Sequence, residues 1–275
     1  MISLVERRES SYNNSDAIAQ SGTLSRIKLA YYKSFAVAYG WAGRAASVVM
    51  VNGSWTGGHI SSLWSSDAAR LVFPPCDIES LLAIPIRPEK NHSLQLEVLR
   101  SVQDALASEG SDVEVSLTIA GGCRHAEDEE RVAALKRYAV ELGVEKSVKW
   151  MLNVPYEDLV EELSSSMISI HTMINEHFGI SVVEALAAGT IMVAHRSGGP
   201  KMDIVVPSDG KERVGYVAET REEFSRAISS ILALSPSERQ RIREAARKAS
   251  TRFSEQSFDD RWNESVQPLM DTVAA

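Results

Sequence analysis

Two carboxylates, Glu176 and Glu184, stand at the mouth of an apolar run. In the stretch NEHFGISVVEALAAGT, residues 175–190, Glu176 lies beside His177 and just before Phe178 and Gly179. Glu184 follows among Ile180, Val182, Val183, Ala185, Leu186, Ala187 and Ala188. Burying an unpaired carboxylate in such surroundings costs on the order of several kcal/mol. A carboxylate retained there is expected to find hydroxyl or amide partners at a ligand crevice. Glu176, in the loop before the helix, is expected nearer to any reacting centre. The same spacing also allows an ordinary ion pair between Glu184 and an arginine, or a solvent-facing position.

The other residues with chemical potential follow short apolar runs. Gly121 and Gly122 open GGCRH after residues 114–120, and Gly179 lies in MINEHFGIS after 167–172. Gly198 and Gly199 lie in RSGGPKMDIV after 190–195. Glycine lets backbone approach a ligand closely. Helix starts at Gly179 and near Pro200 would offer amide groups and a positive dipole end, a combination suited to a diphosphate. Arg87 and Lys90, in RPEKNH, could supply the opposing positive charge.

Other chemistries lack their signatures. No GxGxxG follows a strand and no GxxxxGK[ST] occurs, which disfavours dinucleotide redox and P-loop chemistry. His171 and His195 fall near strand ends without an HExxH pattern, and no metal site is expected. Cys76 and Cys123 form no CxxC pair and are expected as free thiols. The sequons at Asn13, Asn52, Asn91 and Asn263 are short enough to arise by chance. A formal net charge of -8 argues against nucleic acid as a partner.

The elements that must position these residues alternate from about residue 93 onward. Helices are expected over 93–108, 128–142, 156–164 and 179–188, and strands over 114–120, 147–151, 167–172 and 190–195. Such alternation predicts an α/β fold, a Rossmann-like parallel sheet with helices on both faces. Ligands of open parallel sheets bind outside the carboxyl ends of the strands, where the three glycine-bearing loops should gather. Residues 221–270 read as nearly all helix.

Upstream, residues 10–22 read as a polar loop and 24–43 as a helix with an apolar face. That helix is either core or a surface helix on a membrane, with Lys28, Lys33 and Arg44 toward the headgroups. Short strands are expected in SVVMVNGS and RLVFPPCD, the latter stopped by Pro74 and Pro75. The division falls into a domain of residues 1–75 and a second of 76–275. Met1 opens no signal peptide, and no run is long and apolar enough to span a membrane.

The motif from Glu176 to Glu184 resembles the E-x7-E element of retaining GT-B glycosyltransferases of family 4. The stretches HTMINEHFGISVVEALAAG, VAHRSGGPKMDIV, VVMVNGSWTGGHISSLW, FPPCD, RPEKNH and IAGGCRHAEDEERV are similar to a narrower group within it. That group comprises the GDP-mannose-dependent α-1,2-mannosyltransferases of dolichol-linked oligosaccharide assembly. The resemblance implies transfer of mannose from GDP-mannose to a dolichol-linked oligosaccharide acceptor, with retention and without a metal or other cofactor. It implies a place on the cytosolic face of the endoplasmic reticulum membrane. Carried over residue by residue, it assigns Glu176 to the donor mannose and Glu184 to the ribose hydroxyls of GDP. His177, Phe178, Gly179 and Ile180 would face the sugar and diphosphate. Arg87 and Lys90 would neutralise the phosphates, with Gly121 and Gly122 also on the donor side.

Two departures from the family pattern carry expectations of their own. The resemblance leads us to expect that the chain begins late in the first of the two GT-B domains, with residues 1–75 as its remnant. Family members also place a strand ending in a GQF-like turn before RPEK, whereas here AIPI runs directly into it. A gap in the parallel sheet and weak activity of the chain alone are therefore expected. The alternatives are a non-catalytic nucleotide-binding or scaffold protein, and a family-4 enzyme using another nucleotide sugar.

Overall fold

The computed structural model describes residues 16–64, 69–76, 86–206 and 212–274. The chain divides into two compact units, Met1–Val72 with Arg261–Ala275, and Phe73–Asp260. The last fifteen residues, expected with the second domain, group with the first unit. Residues 77–85, which include most of the stretch where a strand was expected to be missing, lie outside the described set, as do 10–15 of the expected polar loop.

In the first unit, α1 (Asp16–Gln20) precedes α2 (Gly22–Gly43). Residues 16–20 are therefore helical where a loop was expected. Ser21 caps α2, its hydroxyl accepting from the Leu24 amide at 3.3 Å. Strands β1 (Val49–Val51) and β2 (Ala69–Leu71) pair in parallel, Val49 opposite Ala69. Between them runs α3 (Ser54–Trp64), a helix that Gly57, Gly58 and His59 disguise as loop in the sequence. Helices α2 and α3 pack closely at Gly40, where a Cβ would overlap the Leu63 carbonyl.

The second unit begins at Phe73 and carries a 3₁₀ turn, Pro88–Lys90, followed by α4 (His92–Ser108). The alternation then runs β3 (Leu117–Gly121), α5 (Ala126–Glu141), β4 (Val148–Leu152), α6 (Tyr156–Ser165), β5 (Ile168–His171), α7 (Ile180–Ala188) and β6 (Ile191–His195). Strand β7 (Gly215–Ala218) and helices α8 (Arg221–Ala233) and α9 (Pro236–Ser250) follow, and α10 (Glu255–Ala274) begins in this unit and continues into the first. All strand pairs are parallel, as the βαβ rhythm requires. Strand β6 is buried at every residue, which is why it reads as an unbroken apolar run.

Among the described residues the sheet is in two pieces, β3–β4 and β5–β6–β7. Between them lies a cavity of about 580 Å³, walled by Leu117–Gly121 on one side and Ile168–His171 on the other. Helix α4 bridges the pieces. Its Leu96 and Leu99 pack with Ile86, Ile119 and Leu135, while Val98, Val102 and Leu106 pack with Ile191, Val193 and Phe224.

A knot of three phenylalanines closes the carboxyl end of the sheet. The rings of Phe73, Phe178 and Phe253 meet with centroids 4.9 to 5.7 Å apart. Phe253 is 1% exposed. Truncation of a buried aromatic costs about 3–5 kcal/mol, so Phe253→Ala should lower the urea midpoint strongly. An unchanged midpoint would show that the knot is not a stabilising element.

Candidate functional site

Lys90 ends the 3₁₀ turn, and Asn91 follows it in the left-handed region at φ 52°, ψ 49°. That reversal lets α4 start at His92 while the Lys90 side chain turns back over the end of β5. Its Nζ donates to Glu176 Oε2 at 2.9 Å. Both side chains are largely enclosed, at 20% and 16% exposure. The other carboxylate oxygen of Glu176 accepts from the His177 amide at 3.1 Å.

His171 lies beside this pair, its Nε2 3.6 Å from Glu176 Oε2. Neither of its ring nitrogens has a hydrogen-bond partner among the described residues. Burial works against ionisation of Glu176, but His171 and Lys90 outweigh it and hold the carboxyl at about 2. At 3.6 Å His171 acts as a close polar neighbour, and the direct bond is the one from Lys90.

The loop that carries Glu176 is fixed from beneath. The Asn175 amide donates to Ser197 Oγ at 2.7 Å, and that hydroxyl lies 2.8 Å from His195 Nδ1. The Gly199 amide donates to the Glu176 carbonyl at 2.8 Å. Gly198 has φ 61°, and a Cβ there would overlap the Glu176 carbonyl oxygen. Gly198 and Gly199, expected to approach a ligand, instead make room for the Glu176 loop. A helical segment does start at Pro200 as expected, as a π-helical turn of five residues, Pro200–Ile204.

Gly179 then turns the chain into α7 with φ 105°, ψ 64°. The Val182 and Val183 amides donate to the Gly179 carbonyl at 2.9 and 3.2 Å, so the Ile180 and Ser181 amides are the ones that open α7 without an intrahelical acceptor. The Phe178 side chain is absorbed in the aromatic knot, and its carbonyl packs against Gly199. One turn into α7, Glu184 is 4% exposed. Neither of its oxygens has a hydrogen-bond partner among the described residues. Among the described residues no arginine pairs with it, and it is enclosed rather than solvent-facing. Burial pushes its carboxyl up to about 7.

Other expected residues are placed differently. The Arg87 side chain is 59% exposed and lies 3.7 Å from Glu89, apart from the Lys90–Glu176 pair. The Gly121 carbonyl accepts from the Asn153 amide at 3.2 Å and that of Gly122 from the Ile86 amide at 3.0 Å. Both carbonyls tie the end of β3 to neighbouring backbone. Cys76 and Cys123 are free thiols, and burial, with Glu184 adding to it, pushes Cys76 up to about 12. Among the described residues no three His, Cys, Asp or Glu side chains gather as a metal set.

Comparison with known proteins follows the same lines. Residues 74–249 match the family of glycosyl transferases group 1. The chain belongs to this family. Residues 1–64 match the N-terminal region described as ALG11 mannosyltransferase N-terminus. The Caenorhabditis elegans GDP-Man:Man(3)GlcNAc(2)-PP-Dol alpha-1,2-mannosyltransferase is 49% identical over 290 residues, covering 98% of this chain and 61% of the relative. The human protein of the same description is 42% identical, over 98% of this chain and 58% of the relative. The chain thus spans about three fifths of the length of these relatives. The aligned 290 positions exceed the 275 residues of the chain, so the nematode relative carries residues without counterparts here.

Among solved structures, sucrose-phosphate synthase from Thermosynechococcus elongatus superposes with TM-score 0.68 at 16% identity, over 99% of this chain and 67% of that one. Anabaena HepE in complex with UDP superposes with TM-score 0.65 at 17% identity, over 82% and 65%. The fold is that of the GT-B glycosyltransferases, an α/β architecture as expected.

The two glutamates have opposite consequences for stability. Glu176 is depressed, so its contribution is present above the ordinary carboxyl range near 4.5 and is lost as pH falls toward 2. Glu184 is raised, so its contribution is complete below 4.5 and is lost as pH rises through about 7. Glu184→Gln removes the second loss. The melting temperature of the variant relative to wild type should therefore climb between pH 5 and pH 8, by an amount corresponding to at most on the order of 3 kcal/mol. A difference independent of pH would show that Glu184 is not buried as a neutral acid.

Proposed function

We propose that this chain carries the donor-binding half of an α-1,2-mannosyltransferase. The donor is GDP-mannose and the acceptor a dolichol-linked oligosaccharide. The observation that carries the proposal is Glu184, an enclosed carboxyl with two unpartnered oxygens one turn into α7, eight residues after a carboxylate held by Lys90. A ribose diol supplies the two hydroxyl donors that Glu184 lacks. The amides that open α7 and the Lys90 ammonium are suited to a diphosphate. Glu176, ionised and enclosed, is suited to a sugar that gains positive character as its bond to the diphosphate breaks. The described descriptions of the nematode and human relatives support mannose as the sugar and the dolichol-linked acceptor. This chemistry uses charge stabilisation by protein groups, and we propose that it needs no metal.

Helix α2 supports a membrane surface as a further partner, in keeping with a lipid-linked acceptor and the cytosolic face of the endoplasmic reticulum. Leu24, Ile27, Tyr31, Phe35 and Tyr39 form an exposed stripe at helical spacing. Among the described residues no helix is long and apolar enough to cross a membrane. An amphipathic helix rich in aromatic residues suits the interface between headgroups and acyl chains.

Two glutamate variants test the assignment. Glu184→Gln should weaken GDP binding by calorimetry roughly ten- to a hundredfold, the equivalent of losing charged hydrogen bonds worth about 1.5–3 kcal/mol. Glu176→Ala, placed in the longer protein, should abolish mannose transfer while GDP binds nearly as before. Unaltered GDP affinity in the first, or substantial transfer by the second, would remove that residue from the site. The chain alone should transfer little mannose, since two of its facing strands border a cavity and orientation of both substrates is worth roughly 7–11 kcal/mol. Turnover equal to that of the longer protein would contradict this.

A further inference from the structure

The ion pair between Lys90 and Glu176 is held in register by a buried polar relay that the proposed chemistry does not itself use. Thr172, the residue after β5, is 1% exposed, and its Oγ1 donates toward the carbonyls of Lys90 at 2.7 Å and Asn91 at 3.1 Å. Gln95, one turn into α4 and 8% exposed, donates from Nε2 to the same hydroxyl at 3.1 Å. Its Oε1 lies 3.0 Å from His92 Nδ1. With Gln95 Nε2 turned to Thr172, its Oε1 is placed to accept from a proton on His92 Nδ1. Burial lowers the pKa of His92, with the Gln95 contact acting the other way.

These contacts close a ring. From Thr172 the chain reaches Glu176 in four residues, Glu176 accepts from Lys90 Nζ, and the Lys90 carbonyl accepts from Thr172. Residues 86 positions apart in sequence are thereby fixed at two points, one on the backbone and one at the side-chain tip. A lysine has about 2 kcal/mol of rotamer entropy to lose when it is held in one place. Anchoring its backbone turn leaves only the side chain to be ordered. The turn would otherwise depend on a left-handed Asn91 next to a cavity.

We propose that Thr172 and Gln95 are positioning residues. Their relay sets the distance between the Lys90 ammonium and the Glu176 carboxylate, and so the place where the diphosphate and the sugar of a nucleotide-sugar donor meet. The inference rests on the donor assignment for its functional consequence, but the geometric part is measurable without it. In Thr172→Val the shape is kept while the hydroxyl is lost. In Thr172→Ser the hydroxyl returns, and Gln95→Met removes the amide at similar length.

The first measurement is the titration of the Glu176 carboxyl by carbon NMR in the chain itself. The titratable neighbours recorded for Glu176 are Lys90 and His171, and none of the three variants alters either. Glu176 should rise by about one pH unit or more in Thr172→Val, a tenfold or greater gain in proton affinity. It should rise in Gln95→Met by a smaller amount and stay near the wild-type value in Thr172→Ser. A value unchanged in both Thr172→Val and Gln95→Met would overturn the proposal, and Gln95→Met decides it if Thr172→Val fails to fold.

The second measurement compares GDP-mannose with GDP by calorimetry. Thr172→Val should weaken GDP-mannose about tenfold more than it weakens GDP, with Thr172→Ser restoring the ratio. A substitution that merely destabilised the fold would weaken both ligands alike, and that result would count against the positioning role. If Glu176 titrates as expected while wild type binds neither ligand, the relay stands and the donor assignment falls.

Discussion

A single ion pair, Lys90 to Glu176, ties together the two halves of the candidate site. It joins the turn before α4 to the loop after β5, and most of the surrounding structure serves to hold those segments in reach. Thr172 grips the turn from one side, while Ser197, Gly198 and Gly199 support the Glu176 loop from the other. The pair is largely enclosed, where electrostatic interactions are stronger than at the surface and an unpaired charge is costly. Removing either partner should therefore disturb the site more than the loss of a surface contact.

The two glutamates of the motif show how environment divides the roles of identical side chains. Glu176 has a cation at hydrogen-bond distance and is held ionised. Glu184, one turn into an apolar helix, has no partner and is pushed toward the neutral form. A buried acid without partners lowers stability as the pH rises, so the fold tolerates a cost at Glu184 that packing elsewhere offsets. The aromatic knot of Phe73, Phe178 and Phe253 is one such offset, and it anchors the residue between the two glutamate-bearing elements.

Much of this was legible in the sequence for physical reasons. Strands β3 to β6 and helices α4 to α7 have strong periodicity and turn residues at their ends, and they fall within a few residues of expectation. Lys90 was expected to face a diphosphate, and its bond to Glu176 was not foreseen, since a contact across 86 positions leaves no spacing to read. Strand β7 went unread because it is four residues long and opens on Gly215, which is there to clear the Met192 carbonyl. Helix α3 was hidden by its glycines. Gly198 and Gly199 look like ligand-facing glycines, but only a tertiary contact reveals that they face the Glu176 loop. Thr172 and Gln95 carry no motif signal, since a relay of neutral side chains across 77 positions has no spacing to betray it.

We propose that Glu184, raised to about 7 by burial, becomes a carboxylate when ribose hydroxyls donate to it. The direct measurement is the number of protons exchanged on GDP binding, obtained by calorimetry in buffers of different ionisation enthalpy. Near pH 6 binding should release about one proton, falling toward zero near pH 8.5, and Glu184→Gln should abolish the release at both. Binding without proton release near pH 6, or the same release from Glu184→Gln, would contradict the account.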